Sequence, residues 1–206
     1  MDGEEAVFHG AGREDVDALM LESGRPFVIE IKEPRTRDVD PAELEAEVDE
    51  FADGKVEVEG LRLATHDMVE RVKELDANKT YRMDVAFDDP VSEDAFADAL
   101  AELDGATIYQ DTPQRVTHRR ADVTRTREVY DIDGTLDGDT EAELEINGEG
   151  GLYVKELVSG DEGRTEPSLA GLLDTGAVVT ALDVIDVEGE DEPFARPEFF
   201  RDSDTE

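Results

Sequence analysis

Two aspartates, a glycine and an arginine lie close together near the start of the chain, in residues 12–17, which read GREDVD. An ionised aspartate is able to act as a nucleophile or as a general base. A carboxylate in a short acidic segment is more often part of a solvated turn than of a catalytic site. The segment therefore becomes informative only through the reactive side chains that lie downstream of it.

The charge of the chain sets the conditions under which it folds. Its 206 residues include 57 acids and 20 bases, which gives a formal net charge of −37. Such a chain repels itself in ordinary buffer, whereas molar salt, with a Debye length of about 3 Å, screens most of this repulsion. Because the apolar residues recur in periodic segments, we expect a folded protein from a salt-rich cytosol and not a disordered chain.

Several classes of site are excluded by the residue types present. The sequence contains no cysteine, and its three histidines (His9, His66 and His118) lack the spacing of metal ligands. Disulfides and cysteine-based metal sites are therefore excluded, and a structural metal is not expected. No segment approaches the length of a membrane span, and no signal peptide is found. We expect a soluble, cytoplasmic protein with no metal and no membrane partner.

The hydrophobic periodicity predicts an α+β domain with a large, mostly antiparallel sheet. Asp40 and Ser92 are typical helix N-caps, because a side-chain oxygen there accepts a hydrogen bond from the first turn. Lys155 should be partly buried, since it is flanked by apolar residues. The predicted helices cover residues 41–51, 67–75, 93–103 and 168–173. The predicted strands cover residues 25–31, 55–63 (with a bulge at Gly60), 79–87, 106–109, 142–146 and 177–187.

One segment is basic in an otherwise acidic chain. Arginines and a histidine crowd residues 115–127, and their alternation predicts a long, exposed strand, followed by an acidic hairpin tip over residues 131–139. Residues 161–165 are predicted to form a loop. The basic segment either binds RNA phosphates or only balances neighbouring acids, and the scarcity of cations elsewhere favours RNA. Its basic residues are Arg115, His118, Arg119, Arg120, Arg125 and Arg127.

Five motifs together resemble the catalytic domain of one known enzyme family. They are GREDVD at residues 12–17, GRPF at 24–27, TPQRVTHRR at 112–120, YVKE at 153–156 and GRT at 163–165. In order and spacing they are similar to the archaeal and eukaryotic tRNA pseudouridine synthases that modify the TΨC arm, the Pus-ten family. The resemblance implies a pseudouridine synthase fold, with a mixed, mostly antiparallel sheet flanked by helices and loops. It implies a catalytic domain over residues 1–188 and an acidic, flexible tail over residues 189–206.

The resemblance also assigns roles. Asp15 takes the place of the catalytic aspartate, Tyr81 that of the tyrosine against the target base, and Lys155 that of the cation paired with the aspartate. Leu182 corresponds to an apolar residue that packs against the site, and Asp17 is interpreted as structural. The basic segment contributes Arg115, Arg119 and Arg120 to substrate binding. The implied reaction converts uridine 55 of tRNA to pseudouridine, leaves open whether uridine 54 is also converted, and uses no cofactor.

Each role has a plainer alternative, and so has the whole chain. Tyr81 and Leu182 are equally compatible with ordinary core positions, and the amine of Lys155 with a position at the solvent. The family normally carries an N-terminal RNA-binding module with a cysteine-based zinc site, which is not found in this sequence. We therefore expect a monomer that acts on tRNA, or else an inactive RNA-binding remnant that needs a separate N-terminal module. An acidic protein-interaction module is a third and weaker hypothesis.

Overall fold

The computed structural model describes residues 3–12, 18–75, 77–118, 121–188 and 196–201. The chain divides into two compact units. The small unit contains Met1–Gly12, Pro26–Leu75 and Gly189–Glu206. The large unit contains Arg13–Arg25 and Asp76–Glu188. Among the described residues, no helix is both long enough and apolar enough to cross a membrane.

The small unit consists of a two-stranded antiparallel ribbon and two helices. Strand β1 (Glu5–Gly10) pairs with β3 (Phe27–Lys32), and the helices are α1 (Pro41–Ala52) and α2 (Asp67–Glu74). The predictions of β3, α1 and α2 are confirmed. Helix α1 begins as its sequence predicted, because the Asp40 carboxylate accepts a hydrogen bond of 2.9 Å from the Ala42 amide.

The predicted strand over residues 55–63 is wrong. Residues 56–63 form no regular structure, although their apolar side chains alternate. Their backbone groups bond to helix α1 instead: the Val58 amide donates to Asp49 Oδ1 at 3.0 Å and the Leu61 amide to Glu45 Oε2 at 3.0 Å. Side-chain carboxylates satisfy donors that would otherwise need a neighbouring strand, so alternation alone was misleading here.

Part of the tail is attached to the small unit, whereas the sequence predicted a flexible tail. The short 3₁₀ helix Pro197–Phe199 leads into Phe200, which forms an isolated bridge with Ala64. The Thr65 amide donates to the Phe199 carbonyl at 2.8 Å, and the guanidinium of Arg62 lies 5.1 Å from the centre of the Phe200 ring. Residues 196–201 are therefore ordered by backbone pairing and a cation–π contact.

The large unit is built on a seven-stranded sheet. Its strand order is β2-β9-β4-β7-β6-β5-β8, in which β2 and β9 are parallel and every other pair is antiparallel. This mixed, mostly antiparallel sheet with flanking helices confirms the predicted fold class. The strands are β2 (Leu19–Met20), β4 (Asn78–Phe87), β5 (Thr107–Asp111), β6 (Thr124–Asp137), β7 (Glu141–Gly148), β8 (Thr165–Glu166) and β9 (Ala177–Glu188). The helices are α3 (Glu93–Leu103), α4 (Val154–Ser159) and α5 (Leu169–Leu173).

One face of this sheet is buried. Strand β4 turns alternate side chains inward, as predicted, and all three helices contribute to the same apolar cluster. Full burial of such a side chain stabilises the fold by about 1.5–3 kcal/mol. The opposite face of β7 exposes Glu141, Glu143 and Glu145. The inward residues of β4 and β7 are Tyr81, Met83, Val85, Phe87, Ala142, Leu144 and Ile146.

The long exposed strand predicted over the basic segment is wrong in its first half. A 3₁₀ helix occupies Gln114–Val116 and a turn follows it, so that β6 begins only at Thr124. Pro113 has no amide proton and therefore cannot continue a strand ladder. The hydroxyl of Thr117 closes the turn by donating to the Gln114 carbonyl at 3.0 Å.

The acidic hairpin tip predicted over residues 131–139 is also shorter than expected. Strand β6 continues to Asp137, and only residues 138–140 form the turn. Buried Ile132 alternates with exposed Asp131 and Asp133. The acids therefore lie on the solvated face of a strand, and their number disguised the alternation. Similarly, the loop predicted over residues 161–165 ends in strand β8, which begins at Thr165.

Candidate functional site

Two of the predicted site residues lie on neighbouring central strands. Tyr81 on β4 is directly opposite Val184 on β9, and Met83 is opposite Leu182. The side chains of Tyr81 and Leu182 are each 6% exposed and belong to the same apolar cluster. The sheet therefore brings these two residues together on one face, where both also serve as core residues.

The third strand of this group follows the GREDVD motif directly. In β2, Leu19 pairs with Asp183 and Met20 with Val184, and the Leu21 amide donates to the Val184 carbonyl at 2.8 Å. Because Val184 is also opposite Tyr81, a row of paired residues crosses β2, β9 and β4. Asp15 and Asp17, the two aspartates of the motif, lie outside the described residues.

Lys155 lies on α4, whose neighbours along the chain are buried. Val154, Glu156 and Leu157 are at most 5% exposed, while Lys155 itself is partly buried, as predicted. Helix α4 packs against β9 and joins the cluster that contains Tyr81 and Leu182. The fold thus places β2, β4, β9 and α4, the elements nearest to the predicted catalytic residues, in one region of the large unit.

A buried cation, Lys79, lies on the face of the sheet that carries Tyr81 and was not predicted from the sequence. Lys79 on β4 is 9% exposed and is two residues before Tyr81, so both side chains lie on the same side of the strand. The alternation of β4, which predicted Tyr81 as inward-facing, applies equally to Lys79. That pattern could therefore have identified Lys79 as a further candidate for the site.

Arg115 is held by a buried carboxylate. Its Nε donates to Glu156 Oε1 at 2.6 Å and its Nη2 to Glu156 Oε2 at 3.2 Å. Glu156 is 4% exposed, whereas 40% of the Arg115 side chain remains exposed. Arg119 and Arg120 lie outside the described residues. The sequence analysis did not single out Glu156, although it directly follows Lys155 in the YVKE motif.

Arg125 and Arg127, at the end of the basic segment, also contact side chains of the protein. Arg125 Nη1 donates to the Thr112 hydroxyl at 2.8 Å, and its guanidinium lies 5.9 Å from the centre of the Tyr153 ring. Arg127 lies 3.4 Å from a carboxylate oxygen of Glu149. The contact of Arg127 favours the alternative in which part of the basic segment balances neighbouring acids.

The family of the chain follows from comparison with known proteins. Residues 1–188 match the family model described as "Pus10, C-terminal". The chain belongs to this family. This match confirms the resemblance that the five motifs indicated. The site residues described above therefore lie in a Pus10 C-terminal region.

Relatives that share the Pus10 C-terminal region are longer than this chain. A protein of Halorubrum lacusprofundi, named tRNA pseudouridine synthase Pus10, is 68% identical over 202 residues, which cover 98% of this chain and 47% of the relative. A protein of the same name from Methanocaldococcus jannaschii is 43% identical over 185 residues, which cover 90% of this chain and 40% of the relative. The chain therefore spans about half the length of these relatives.

Solved structures resemble the chain more distantly. A chain in the crystal structure of a Cbf5-Nop10-Gar1 complex is 25% identical with a TM-score of 0.47, over 59% of this chain and 33% of that chain. A chain in an archaeal box H/ACA sRNP Nop10-Cbf5 complex is 17% identical with a TM-score of 0.43, over 72% of this chain and 44% of that chain.

One concavity of the large unit is not lined by the predicted site residues. An open groove of about 910 Å³ lies beside β8 and α5, and Asp89, Glu162, Glu166 and Asp174 make its lining acidic. Tyr81, Lys155 and Leu182 do not line it. Within the described part of the chain, no three histidine or carboxylate side chains converge as a metal site would require. An acidic groove does not suit an RNA backbone, so it is not a candidate for substrate binding.

Proposed function

We propose that the chain is the catalytic part of a tRNA pseudouridine synthase that isomerises uridine 55 of the TΨC arm, with uridine 54 left open as a second target. The observation that carries this proposal is the family match over residues 1–188, within which the motif residues Asp15, Tyr81 and Lys155 are all present. The relatives from Halorubrum lacusprofundi and Methanocaldococcus jannaschii are both named as enzymes of this kind.

The sheet supports a site that combines these residues. Asp15 lies four positions before Leu19 in the sequence. Leu19 pairs with Asp183, the neighbour of Leu182 on β9, and β9 in turn pairs with the strand of Tyr81. The strand that follows the motif in sequence is therefore a direct neighbour of β9, which carries Leu182 and pairs with the strand of Tyr81.

The assigned side chains have complementary tasks in the reaction. A uridine stacked in the TΨC arm must leave the stack first, and the ring of Tyr81 would compensate part of the lost stacking. Asp15 must be ionised to act as a nucleophile, and a cation such as Lys155 within about 4–6 Å favours the ionised form. Leu182 would keep the site apolar, which strengthens that attraction.

The isomerisation is balanced without a co-reactant. The bond between C1′ of the ribose and N1 of uracil breaks, the base rotates, and a bond between C1′ and C5 forms. The proton on C5 passes to water and N1 takes up a proton from water, so no electrons enter or leave the substrate. The residues assigned here therefore supply a nucleophile, its counter-charge and a surface that holds the free base, while water exchanges the two protons.

Substrate binding requires local positive charge in a molecule with a net charge of −37. We assign this task to Arg115, Arg119 and Arg120, which belong to the basic segment. Arg115 keeps 40% of its side chain exposed while it is paired with Glu156, so that phosphate contact is compatible with the pair. High salt would mute the repulsion between tRNA and the remaining acidic surface.

The alternative is an RNA-binding remnant that needs another module for turnover. The chain spans 47% of its relative from Halorubrum lacusprofundi, so the activity named for that relative belongs to a longer protein. Under this alternative the isolated chain binds tRNA in a salt-sensitive manner but forms no pseudouridine.

Carbodiimide mapping of pseudouridine in an unmodified tRNA transcript, incubated with the chain in molar KCl, tests the proposal. We expect conversion in the TΨC arm by the isolated chain. A parallel reaction receives the N-terminal half of the Halorubrum lacusprofundi relative as a separate polypeptide. Conversion only in that reaction would support the alternative, and conversion in neither reaction would contradict the proposal.

A further inference from the structure

The segment from Gln110 to Arg115 contacts the chain on both sides of Lys155. Gln110, at the end of β5, is completely buried, and its side-chain amide bonds to both backbone groups of Tyr153. Its Nε2 donates to the Tyr153 carbonyl at 3.0 Å, and its Oε1 accepts from the Tyr153 amide at 2.9 Å. The Gln110 side chain thus pairs with both the amide and the carbonyl of Tyr153, the residue immediately before helix α4, as a neighbouring strand would.

Arg115 contacts the same segment at Glu156, one residue after Lys155. Its two hydrogen bonds to Glu156 form a bidentate pair, the geometry in which guanidinium and carboxylate interact most strongly. Because Glu156 is 4% exposed, loss of Arg115 would leave a buried carboxylate without this compensation. The pair therefore fixes both the orientation of α4 and the path of the 3₁₀ helix that carries Arg115.

The turn after α4 is held by the same loop. The Gln114 amide donates to Asp161 Oδ2 at 3.2 Å, and its Nε2 donates to Glu162 Oε2 at 3.1 Å. Arg164 returns a hydrogen bond of 2.8 Å to the Thr112 carbonyl. Residues 110–115 thus contact the chain before α4, within α4 and after α4.

Helix α4 needs such contacts to hold its position. It has six residues, which is far too short for a helix to be stable in isolation. The Tyr153 side chain, at its N-cap, forms no capping hydrogen bond. The packing of its apolar face sets its depth, whereas directed hydrogen bonds at its two sides set its rotation about its own axis. That rotation decides where the Lys155 side chain points.

We propose that Gln110 and Arg115, the latter through Glu156, are positioning residues that orient helix α4 and thereby aim Lys155 at the site. This inference rests on the proposed function, in which Lys155 is the counter-charge of the catalytic aspartate. It adds an internal role for Arg115 and a role for two buried side chains, Gln110 and Glu156. A misplacement of about 1 Å in such a group is able to lower a rate by about 100-fold.

The test uses two substitutions that preserve side-chain volume, Gln110→Met and Glu156→Gln. In single-turnover assays with tRNA, we expect each variant to lower the conversion rate at saturation by at least 10-fold. The Kd for tRNA should change by less than 2-fold in Gln110→Met, whereas Glu156→Gln also releases Arg115 and is therefore compared only by its rate at saturation. Thr124→Val is the matched control. It removes a side-chain hydrogen bond between β6 and β5, Thr124 Oγ1 to Asp111 Oδ1 at 2.6 Å, beside Gln110 but without touching α4, and it should keep the wild-type rate.

A second readout does not depend on activity. Reductive methylation followed by mass spectrometry measures the reactivity of the Lys155 amine, and we expect it to change at least 3-fold in both variants but not in Thr124→Val. Two substitutions at different ends of the segment keep the test open if one variant fails to fold, as judged by its Tm in molar KCl.

The outcomes separate this inference from the proposed function. If folded Gln110→Met or Glu156→Gln keeps the wild-type rate and the wild-type reactivity of Lys155, the positioning role is wrong. If Lys155→Met keeps the wild-type rate, the proposed role of Lys155 is wrong, and the reactivity measurement alone then decides whether Gln110 and Glu156 orient that side chain.

Discussion

At the scale of single residues, the candidate site combines positions that are readable from sequence with positions that are not. The inward position of Tyr81 was predictable from the alternation of β4, and the partial burial of Lys155 from the nearby Val154 and Leu157, whereas the roles of both residues come from the resemblance. Gln110 and Glu156 are not predictable in the same way. Their partners, Tyr153 and Arg115, lie 43 and 41 residues away along the chain, and no local pattern records such contacts.

The aromatic ring of Tyr81 provides a prediction at this scale. Tyr81→Leu should lower the single-turnover rate by roughly 5- to 150-fold, because stacking of a base on an aromatic ring contributes about 1–3 kcal/mol. Tyr81→Phe keeps the ring and should retain more of the rate than Tyr81→Leu. Equal rates for the two variants would show that the ring does not support the base. Far-ultraviolet circular dichroism would establish that both are folded.

Glu30 provides a prediction about pH in the small unit. The pKa of its carboxyl lies below the usual value, mainly because His9 Nε2 lies in hydrogen-bond contact at 3.1 Å and further because of the charge of His66. A lowered pKa in the folded state stabilises the protein above the unfolded value of about 4.5, and this contribution is lost as the pH falls through the folded value.

The stability difference between wild type and Glu30→Gln should therefore be present above about pH 4.5 and should shrink as the pH falls below that value. Urea unfolding midpoints of both proteins, measured between pH 3 and pH 7 in molar KCl, provide the comparison. A difference that is independent of pH over this range would contradict the assigned cause of the lowered pKa.

At the scale of elements, secondary structure was predictable from the sequence where its signals are local. Helix α3 was predictable because Ser92 caps it, with its hydroxyl 3.3 Å from the Ala95 amide, and because its apolar residues recur with helical period. The segment 55–63 was not, because its amides bond to carboxylates of α1 that no local pattern indicates. Strand β6 was predicted only in part. The number of acids at its end suggested a loop, whereas their alternation with apolar residues is typical of a strand.

Close packing of β6 against its neighbours makes Gly134 sensitive to substitution. A Cβ at this position would overlap the side chain of Leu144 and would lie 2.9 Å from the Glu143 carbonyl oxygen and 3.3 Å from Phe96. We expect Gly134→Ala to destabilise the fold by about 1–3 kcal/mol, because the strand or α3 must shift. An unchanged Tm in molar KCl would show that the sheet and α3 are less tightly packed than described.

Like charges directly opposite each other on adjacent strands give a second prediction at this scale. Glu143 on β7 is paired with Asp84 on β4, and both side chains are exposed. Glu143→Gln removes this repulsion and should increase the free energy of unfolding at low salt by a few tenths of a kcal/mol. The Tm at low salt should rise accordingly. The gain should vanish in molar KCl, where such charges are screened. A gain of equal size in both salts would exclude a charge effect.

At the scale of the whole molecule, a net charge of −37 must be reconciled with the anionic substrate that we propose. The exposed face of the sheet is acidic, whereas the face that carries Tyr81 and Leu182 is covered by helices and lies near the basic segment. The resemblance identified the family and the assigned residues. It did not reveal that α4 is oriented by residues 110–115, because that arrangement exists only in the folded chain.

The central claim is that Asp15 is the nucleophile of a pseudouridine-forming site. Carbodiimide mapping of a TΨC-arm transcript in molar KCl should detect pseudouridine with wild type and with Asp17→Asn, which removes the neighbouring carboxylate of the same motif. It should detect none with Asp15→Asn, which keeps the size of the side chain but cannot act as an anionic nucleophile. Pseudouridine formed by Asp15→Asn at the wild-type rate would contradict the account.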